Sequence, residues 1–267
     1  MNFNWLLIPA ILIGWLSFGI GYAIGGRKRS AAVGIALVLV ASLAAIPGVL
    51  FLCYFLHWFD SCAWYCEFRS VPGTELLAGG LGFAGGLVAR GCGRVRWFRL
   101  PAVAVLLLCT TGAIFVPHSK PFILPPKLER LDDSREGLVC MQSTGFSCGP
   151  ACATTLLRLH GIPASERELA RDCFTYGRGT ENWYIARALR ERGLRVTVFT
   201  RMPPDGVPAP CIAGVDLHGG GHYIVVLEDL GDAYRTADPL VGESVWPKST
   251  ISNCYKFTGF FMRVEKP

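Results

Sequence analysis

Long apolar stretches in the N-terminal half constrain this chain more than any other feature. There are four, at residues 5–24, 31–56, 72–89 and 100–116. A transmembrane helix needs about 20 mainly apolar residues, with a range of about 17–25. We therefore expect residues 1–117 to form an all-α membrane bundle of four transmembrane helices, surrounded by lipid.

The third stretch is the weakest of the four. It contains Glu75 near its start, together with five glycines at positions 79, 80, 82, 85 and 86. Small residues suit close contact between helices in lipid, so we predict that this stretch also spans. The side of the membrane on which the C-terminal half lies depends on this prediction, because one span fewer would reverse it.

Basic residues in the loops predict the orientation. The cluster Arg27-Lys28-Arg29 follows the first stretch, and four arginines follow the third, at positions 90, 94, 96 and 99. Loops rich in Lys and Arg stay in the cytoplasm. The loop between the second and third stretches holds Asp60, Glu67 and Arg69, as an outside loop should. The sequence therefore predicts a multi-pass integral membrane protein whose residues 118–267 lie on the extracytoplasmic side.

The second half has the composition of a soluble domain. Residues 118–267 carry 18 Lys/Arg and 17 Asp/Glu, and this near balance gives no sign of a basic nucleic-acid surface, so nucleic acid is not an expected partner. No G-x-x-x-x-G-K-[ST] loop is present, so ATP is not an expected partner. Prolines in residues 118–136 predict a stiff, extended linker. Residues 137–267 are then the functional domain.

Helices precede strands in this domain. Helices are predicted at 148–160, 165–172 and 180–192, with Ser165 and Thr180 as N-caps and Gly161 ending the first. Strands follow at 195–200, 211–215, 222–228, 233–237 and 257–264. This order indicates an α+β domain, and the short links between the later strands predict antiparallel pairing.

Cysteine and histidine provide the candidate chemistry. Cys148 opens a predicted helix, where the N-terminus favours the thiolate that attacks carbonyl carbon. His222 begins an apolar strand and Asp238 ends the next, so an antiparallel pair would bring them to one end of the sheet. A histidine can activate the thiol, and a carboxylate can orient the histidine. The Cys148 amide and the Gln142 side chain are candidate donors to the oxyanion.

At these residues the chain resembles a known family. The segments Gln142-Ser-Thr-Gly-Phe-Ser-Cys148-Gly149, Gly221-His222-Tyr-Ile-Val-Val and Ala237-Asp238-Pro239 are similar to those of bacteriocin-processing cysteine peptidases, which remove double-glycine leaders. The resemblance covers about residues 137–265. It implies a papain-like fold, a site of Gln142, Cys148, His222 and Asp238, and a peptide or leader-bearing protein as substrate. The position before the cysteine is usually acidic in that family, whereas Ser147 stands here.

The remaining cysteines have two explanations. Cys140, Cys152, Cys173, Cys211 and Cys254 share the C-terminal domain with Cys148, and disulfides formed in an oxidising compartment would account for their number. We expect no bond between Cys148 and Cys152, because it would consume the nucleophile. Zinc is disfavoured, since three glycines separate His218 from His222 and no C-x-x-C pair occurs. No metal or cofactor is therefore expected.

Three functions are consistent with the sequence. The first is a membrane-anchored cysteine peptidase that hydrolyses a peptide bond through a Cys148 thioester. The second is a catalytically silent peptide-binding module on the same anchor. The third is a thiol amidase or acyl transferase that acts on cell-wall peptide. The sequence shows no ATP-binding cassette, and a separate exporter is therefore one partner that it leaves open.

Overall fold

The computed structural model describes residues 4–56, 58–59, 62–92, 96–202, 206–217, 220–249, 251 and 255–267. Asp60, Arg94, His218 and Cys254 lie outside the described residues. The chain forms two compact units. A helical unit comprises Asn4–Asp60 and Pro72–Lys120, and an α+β unit comprises Ser61–Val71 and Pro121–Pro267. A short segment from the middle of the N-terminal half thus belongs with the C-terminal domain.

The helical unit follows the apolar stretches. Its helices are α1 (Leu7–Gly25), α2 (Ala31–Phe55), α4 (Leu81–Cys92) and α5 (Arg96–Phe115), while α3 (Ala63–Ser70) lies in the α+β unit. Many leucines, isoleucines and valines of α1 and α2 are not covered by other parts of the protein, as expected for surfaces that face lipid. The predicted helical N-terminal region is confirmed.

The third apolar stretch is not one straight helix. A 3₁₀ helix, Thr74–Gly80, precedes α4. Within the described part of the chain, three helices are long and apolar enough to cross a membrane, and the bent pair Ala63–Ser70 and Thr74–Cys92 is the fourth candidate. The count is therefore three or four, against the four expected.

Glycines of α4 let it lie in backbone contact with α1. A Cβ atom at Gly82 would lie 1.9 Å from the Gly14 carbonyl oxygen, and one at Gly86 would lie 2.1 Å from the Phe18 carbonyl oxygen. Neither position has room for any larger residue. The expectation that small residues allow close helix contact in the third stretch is confirmed.

The expected extended linker is wrong. The segment contains a 3₁₀ helix at Val116–His118, a helical turn α6 (Lys120–Ile123) and a second 3₁₀ helix at Leu128–Arg130. Proline does not prevent these turns, because it is tolerated in the first turn of a helix, where its missing N–H group has no partner to lose.

The α+β unit has its helices before its main sheet. They are α7 (Cys148–Leu159), α8 (Glu166–Asp172) and α9 (Asn182–Glu191). Ser165 caps α8 by accepting a hydrogen bond from the Glu168 amide at 3.2 Å, as predicted. Thr180 does not cap α9, because Glu181 takes that position. The Thr180 hydroxyl instead hydrogen bonds to Thr175 at 2.8 Å.

Among its described residues, two antiparallel sheets complete this unit. The smaller has β1 (Arg135–Glu136) and β2 (Val139–Cys140); the larger has β3 (Arg195–Phe199), β4 (Cys211–Leu217), β5 (Gly220–Asp229), β6 (Ala233–Asp238), β7 (Gly242–Pro247) and β8 (Lys256–Glu265). The strand order of the larger sheet is β3-β8-β4-β5-β6-β7. The predicted α+β fold with an antiparallel sheet is confirmed. Strand β7 was not predicted, because its mostly exposed edge has no apolar run.

Candidate active site

Cys148 is the first residue of α7 and is partly exposed. An amide in the first turn of a helix has no partner within the helix, so the Cys148 N–H is available to a ligand. The aligned peptide dipoles of α7 also favour negative charge at this end. The start of the helix, rather than the cysteine alone, makes this position suited to an anionic sulfur and an oxyanion.

The other cysteines of this unit are chemically different. Cys140, Cys152, Cys173 and Cys211 are buried and, like Cys148, form no disulfide. Burial raises the pKa of Cys140 to about 12 and that of Cys152 well above its usual range. The described cysteines therefore give no support to the disulfide explanation. Cys148 and Cys152 are both free thiols.

His222 lies between Cys148 and Asp238. Its Nε2 atom is 2.9 Å from Asp238 Oδ1, and both side chains are buried. Burial opposes protonation of His222, but hydrogen bonds with Asp238 and with Cys148 outweigh it and raise the histidine pKa to about 9. With Nε2 committed to the carboxylate, Nδ1 is the ring nitrogen left for the sulfur. The structure thus brings three of the four predicted side chains together.

Adjacent strands produce this contact. β5 pairs antiparallel with β6, and the register places Val225 opposite Ala237. His222 near the start of β5 and Asp238 at the end of β6 consequently share one end of the sheet. The α7 helix packs against β5, which brings Cys148 to the same end.

Asp238 accepts three hydrogen bonds. Its Oδ1 atom receives the Leu240 amide at 2.8 Å in addition to His222, and its Oδ2 atom receives the Tyr255 hydroxyl at 2.7 Å. Burial disfavours the charged carboxylate, but hydrogen bonds from His222, Tyr255 and the Leu240 amide outweigh burial and lower the pKa of Asp238. The carboxylate is therefore an anion at neutral pH. Sequence patterns did not identify Tyr255, because it follows no spacing rule relative to Asp238.

Gln142 lies on the loop before α7. Its amide Nε2 donates to the Thr144 carbonyl at 2.9 Å, which leaves the second N–H of the same nitrogen for another acceptor. The Gln142 backbone amide donates to the Pro239 carbonyl at 2.8 Å, so this loop is tied to the turn that follows Asp238. The contact links the predicted oxyanion donor to the residue that orients His222.

A buried carboxylate also fixes the Gln142 loop. Glu166, which is fully buried at the start of α8, accepts hydrogen bonds from both the amide and the hydroxyl of Ser143. Its own amide donates to Asp133 at 2.9 Å, and Asp133 is paired with Arg158 of α7. The sequence marks Glu166 only as part of a helix, since its burial depends on tertiary packing.

No cluster of three or more His, Cys, Asp or Glu side chains suited to a metal ion occurs among the described residues. His160, at the end of α7, has its Nε2 atom 3.3 Å from the Val264 carbonyl oxygen.

Comparison with known proteins concerns the C-terminal domain. A family model described as "Peptidase C39 family" matches residues 138–267. An uncharacterised protein of Methanothermobacter thermautotrophicus is 31% identical over 130 residues, which are 49% of this chain and 89% of that protein. An uncharacterised protein of Methanothermobacter marburgensis is 33% identical over 129 residues, or 48% and 89% of the two chains.

Two solved structures align with the same region. A double-glycine motif protease from an AMS/PCAT transporter, solved with its leader peptide, has a TM-score of 0.42 at 20% identity, covering 48% of this chain and 91% of that one. The peptidase domain of Streptococcus ComA, a bifunctional ABC transporter, has a TM-score of 0.43 at 20% identity, covering 48% and 98%.

Proposed function

Because the chain belongs to the Peptidase C39 family of cysteine peptidases, we propose that it hydrolyses a peptide bond through a thioester at Cys148 while its N-terminal helices anchor it in a membrane. The observation that carries the proposal is the chain of contacts from Cys148 through His222 to Asp238. An activated thiol needs both partners in this order.

The proposed reaction assigns one step to each side chain. His222 takes the thiol proton, and the Cys148 sulfur attacks the scissile carbonyl carbon to give a tetrahedral oxyanion. The intermediate expels the amine, which leaves with the proton from His222, and a thioester remains. His222 then takes a proton from water, the hydroxide attacks the thioester, and the acid and the thiol are released. Asp238 keeps Nδ1 turned toward sulfur throughout.

Two donors are placed to bind the oxyanion. The Cys148 amide lies at the start of α7, and the free N–H of Gln142 Nε2 is the proposed second donor. Donors that are already oriented stabilise developing charge without reorganisation, and one such donor is worth about 10²–10³ in rate. The anchored position of Gln142, rather than its residue type alone, supports this role.

A peptide or a leader-bearing protein is the proposed substrate. The resemblance of the Gln142–Gly149 segment to leader-removing peptidases supports this class. A separate exporter is the further partner that we propose for this chain.

The α3 segment supports the proposed membrane topology. Glu67 of α3 pairs with Arg190 of α9 and accepts the Val198 amide of β3 at 3.0 Å. From these contacts we infer that the loop between the second and third apolar stretches lies on the same side of the membrane as the peptidase domain. If Leu100–His118 crosses the membrane, an even number of crossings between this loop and the peptidase domain requires Thr74–Cys92 to cross as well, and we propose that both do.

The basic clusters then give the orientation. With four crossings, the arginines between the third and fourth stretches lie in the cytoplasm, and the peptidase domain lies outside. A membrane-impermeant maleimide applied to intact cells should modify Cys148 but not Cys92, which follows the third stretch. Both should react after lysis. Modification of Cys92 with protection of Cys148 would reverse the proposed orientation.

Peptide products test the catalytic proposal. Cells that express the native chain should accumulate peptide fragments that are absent with Cys148→Ala. Cys173→Ala is the matched control, because that thiol is fully buried in the same domain and distant in sequence from the site. Fragments that persist unchanged with Cys148→Ala would exclude Cys148 as the nucleophile.

A further inference from the structure

A tyrosine holds the carboxylate that orients His222. The Tyr255 hydroxyl donates to Asp238 Oδ2 at 2.7 Å, while His222 and the Leu240 amide occupy Oδ1. Tyr255 is 6% exposed and Asp238 is 2% exposed, so water does not readily replace either partner. Because both carboxylate oxygens have donors, Asp238 cannot rotate without breaking a hydrogen bond.

The position of the phenol is set independently of Asp238. Tyr255 directly precedes β8 and belongs to the buried core cluster of the sheet. Its ring makes an edge contact with the Trp246 ring, with 6.3 Å between the ring centroids, and its backbone amide donates to the Ile251 carbonyl at 2.7 Å. Packing of the ring and the backbone hydrogen bond therefore hold the Tyr255 hydroxyl in place, and the hydroxyl holds the Asp238 carboxylate.

We propose that Tyr255 is a positioning residue for the Cys148–His222 pair, and that its hydroxyl fixes Asp238 so that the carboxylate can hold the imidazolium toward sulfur. The proposal rests on the proposed function, since it concerns the same thiol. It adds a fifth side chain to the predicted set of four.

The surroundings of Asp238 define what the hydroxyl contributes. The groups that face the carboxylate are His222 on β5, Tyr255 before β8, the Leu240 amide in the β6–β7 turn, and the buried Cys152 thiol on α7. Loss of the Tyr255 hydroxyl would leave the buried Asp238 carboxylate with the hydrogen bonds from His222 and the Leu240 amide but without the one from Tyr255. The charged form would then be less favourable, and its hold on the protonated imidazole would weaken.

The test measures alkylation of Cys148 by iodoacetamide in the full-length, detergent-solubilised protein, followed by mass spectrometry of the Cys148 peptide. An ordinary thiol is mostly protonated near about pH 6 and mostly ionised near about pH 9.5, whereas a thiolate paired with imidazolium reacts at both. The alkylation rate near about pH 6 divided by the rate near about pH 9.5 therefore reports how far Cys148 is paired with His222. This measurement needs no substrate. We expect Tyr255→Phe to lower this ratio by about tenfold, the effect of losing one hydrogen bond to a charged group.

Tyr234→Phe is the matched control. Tyr234 is also a buried tyrosine, on the same strand as Asp238, but its ring packs against Phe257 and Lys248. It should keep the native ratio. A purely structural role for Tyr255 would lower the melting temperature without changing the ratio, so both are measured on each variant.

A second variant covers the case in which Tyr255→Phe does not fold. Incorporation of 3-fluorotyrosine at position 255 keeps the ring and hydroxyl but makes the hydroxyl a stronger donor, and it should preserve or raise the ratio. A ratio unchanged from the native protein in folded Tyr255→Phe would overturn the proposal. If native Cys148 itself shows no enhanced reaction near about pH 6, the Cys148–His222 pair fails instead, which is a different result.

Discussion

Replacing Asp238 with asparagine should shift the titration of His222 to lower pH. The pKa of this histidine is raised from 6.5 to about 9, which corresponds to about 3 kcal/mol in favour of the protonated ring. Asp238 and Cys148 share this effect. Asparagine keeps the shape of the side chain but removes its charge. A hydrogen bond to a charged group contributes about 1.5–3 kcal/mol. Asp238→Asn should therefore lower the pKa of His222 by about 1–2 pH units.

The sign of the pH dependence follows from the raised pKa. The interactions that favour protonated His222 are fully present below pH 6.5 and are lost as the pH rises through about 9. In Asp238→Asn, the same loss should occur at lower pH. Release of the amine needs a protonated His222. The alkaline limb of the pH–activity profile of Asp238→Asn should therefore lie at lower pH than that of the native protein.

Hydrogen–deuterium exchange at the imidazole C2 position, followed by mass spectrometry, measures this titration residue by residue. His160 contacts the Val264 carbonyl rather than Asp238 and serves as the internal reference. Asp229→Asn is the matched variant, because that carboxylate pairs with Lys248 at the surface. Titration of His222 at the same pH in the native protein and in Asp238→Asn would show that Asp238 does not favour the protonated ring.

Three further outcomes are expected. Gln142→Ala should reduce kcat by about 10²–10³ with a small change in KM, as measured on a cleaved peptide, because it removes an oxyanion donor; an unchanged kcat would argue against that role. Glu67→Ala should lower the free energy of unfolding by about 1–3 kcal/mol in thermal melts, since it removes the carboxylate that pairs with Arg190 and accepts the Val198 amide of β3; a melting temperature equal to that of the native protein would show that the α3 contacts do not stabilise the domain. Gly82→Val should abolish folding in detergent while Gly112→Val is tolerated, because a Cβ meets a backbone oxygen at the first position and nothing within 4 Å at the second. Equal stability of these two variants would contradict the α1–α4 contact.

Local patterns predicted much of the fold. The length of the apolar stretches predicted α1, α2 and α5, since a helix must satisfy its backbone within itself in lipid. Ser165 and Gly161 marked helix ends because side-chain capping and positive φ are local requirements; Gly161 has a φ of +75°. Strand β7 escaped prediction, because an edge strand with one exposed face carries little hydrophobic signal.

The site divides in the same way. Cys148, His222 and Asp238 could be predicted because each has a local marker: a helix start, the start of an apolar strand, and the end of the next strand. The 2.9 Å contact between His222 and Asp238 additionally required β5 to pair with β6 in the observed register. Glu166 and Tyr255 carry no such marker, since their roles come from burial and from partners distant along the chain.

The sequence by itself determined where most of the longer helices and the buried strands form and which residue types can perform thiol chemistry, because hydrophobic periodicity, capping and turn formation act over a few neighbouring residues. Only the tertiary structure decided that α3 belongs with the peptidase domain, that the third apolar stretch bends, and that Tyr255 reaches Asp238. These features depend on contacts between residues far apart in the chain, where packing and strand register, rather than local propensity, select the partner.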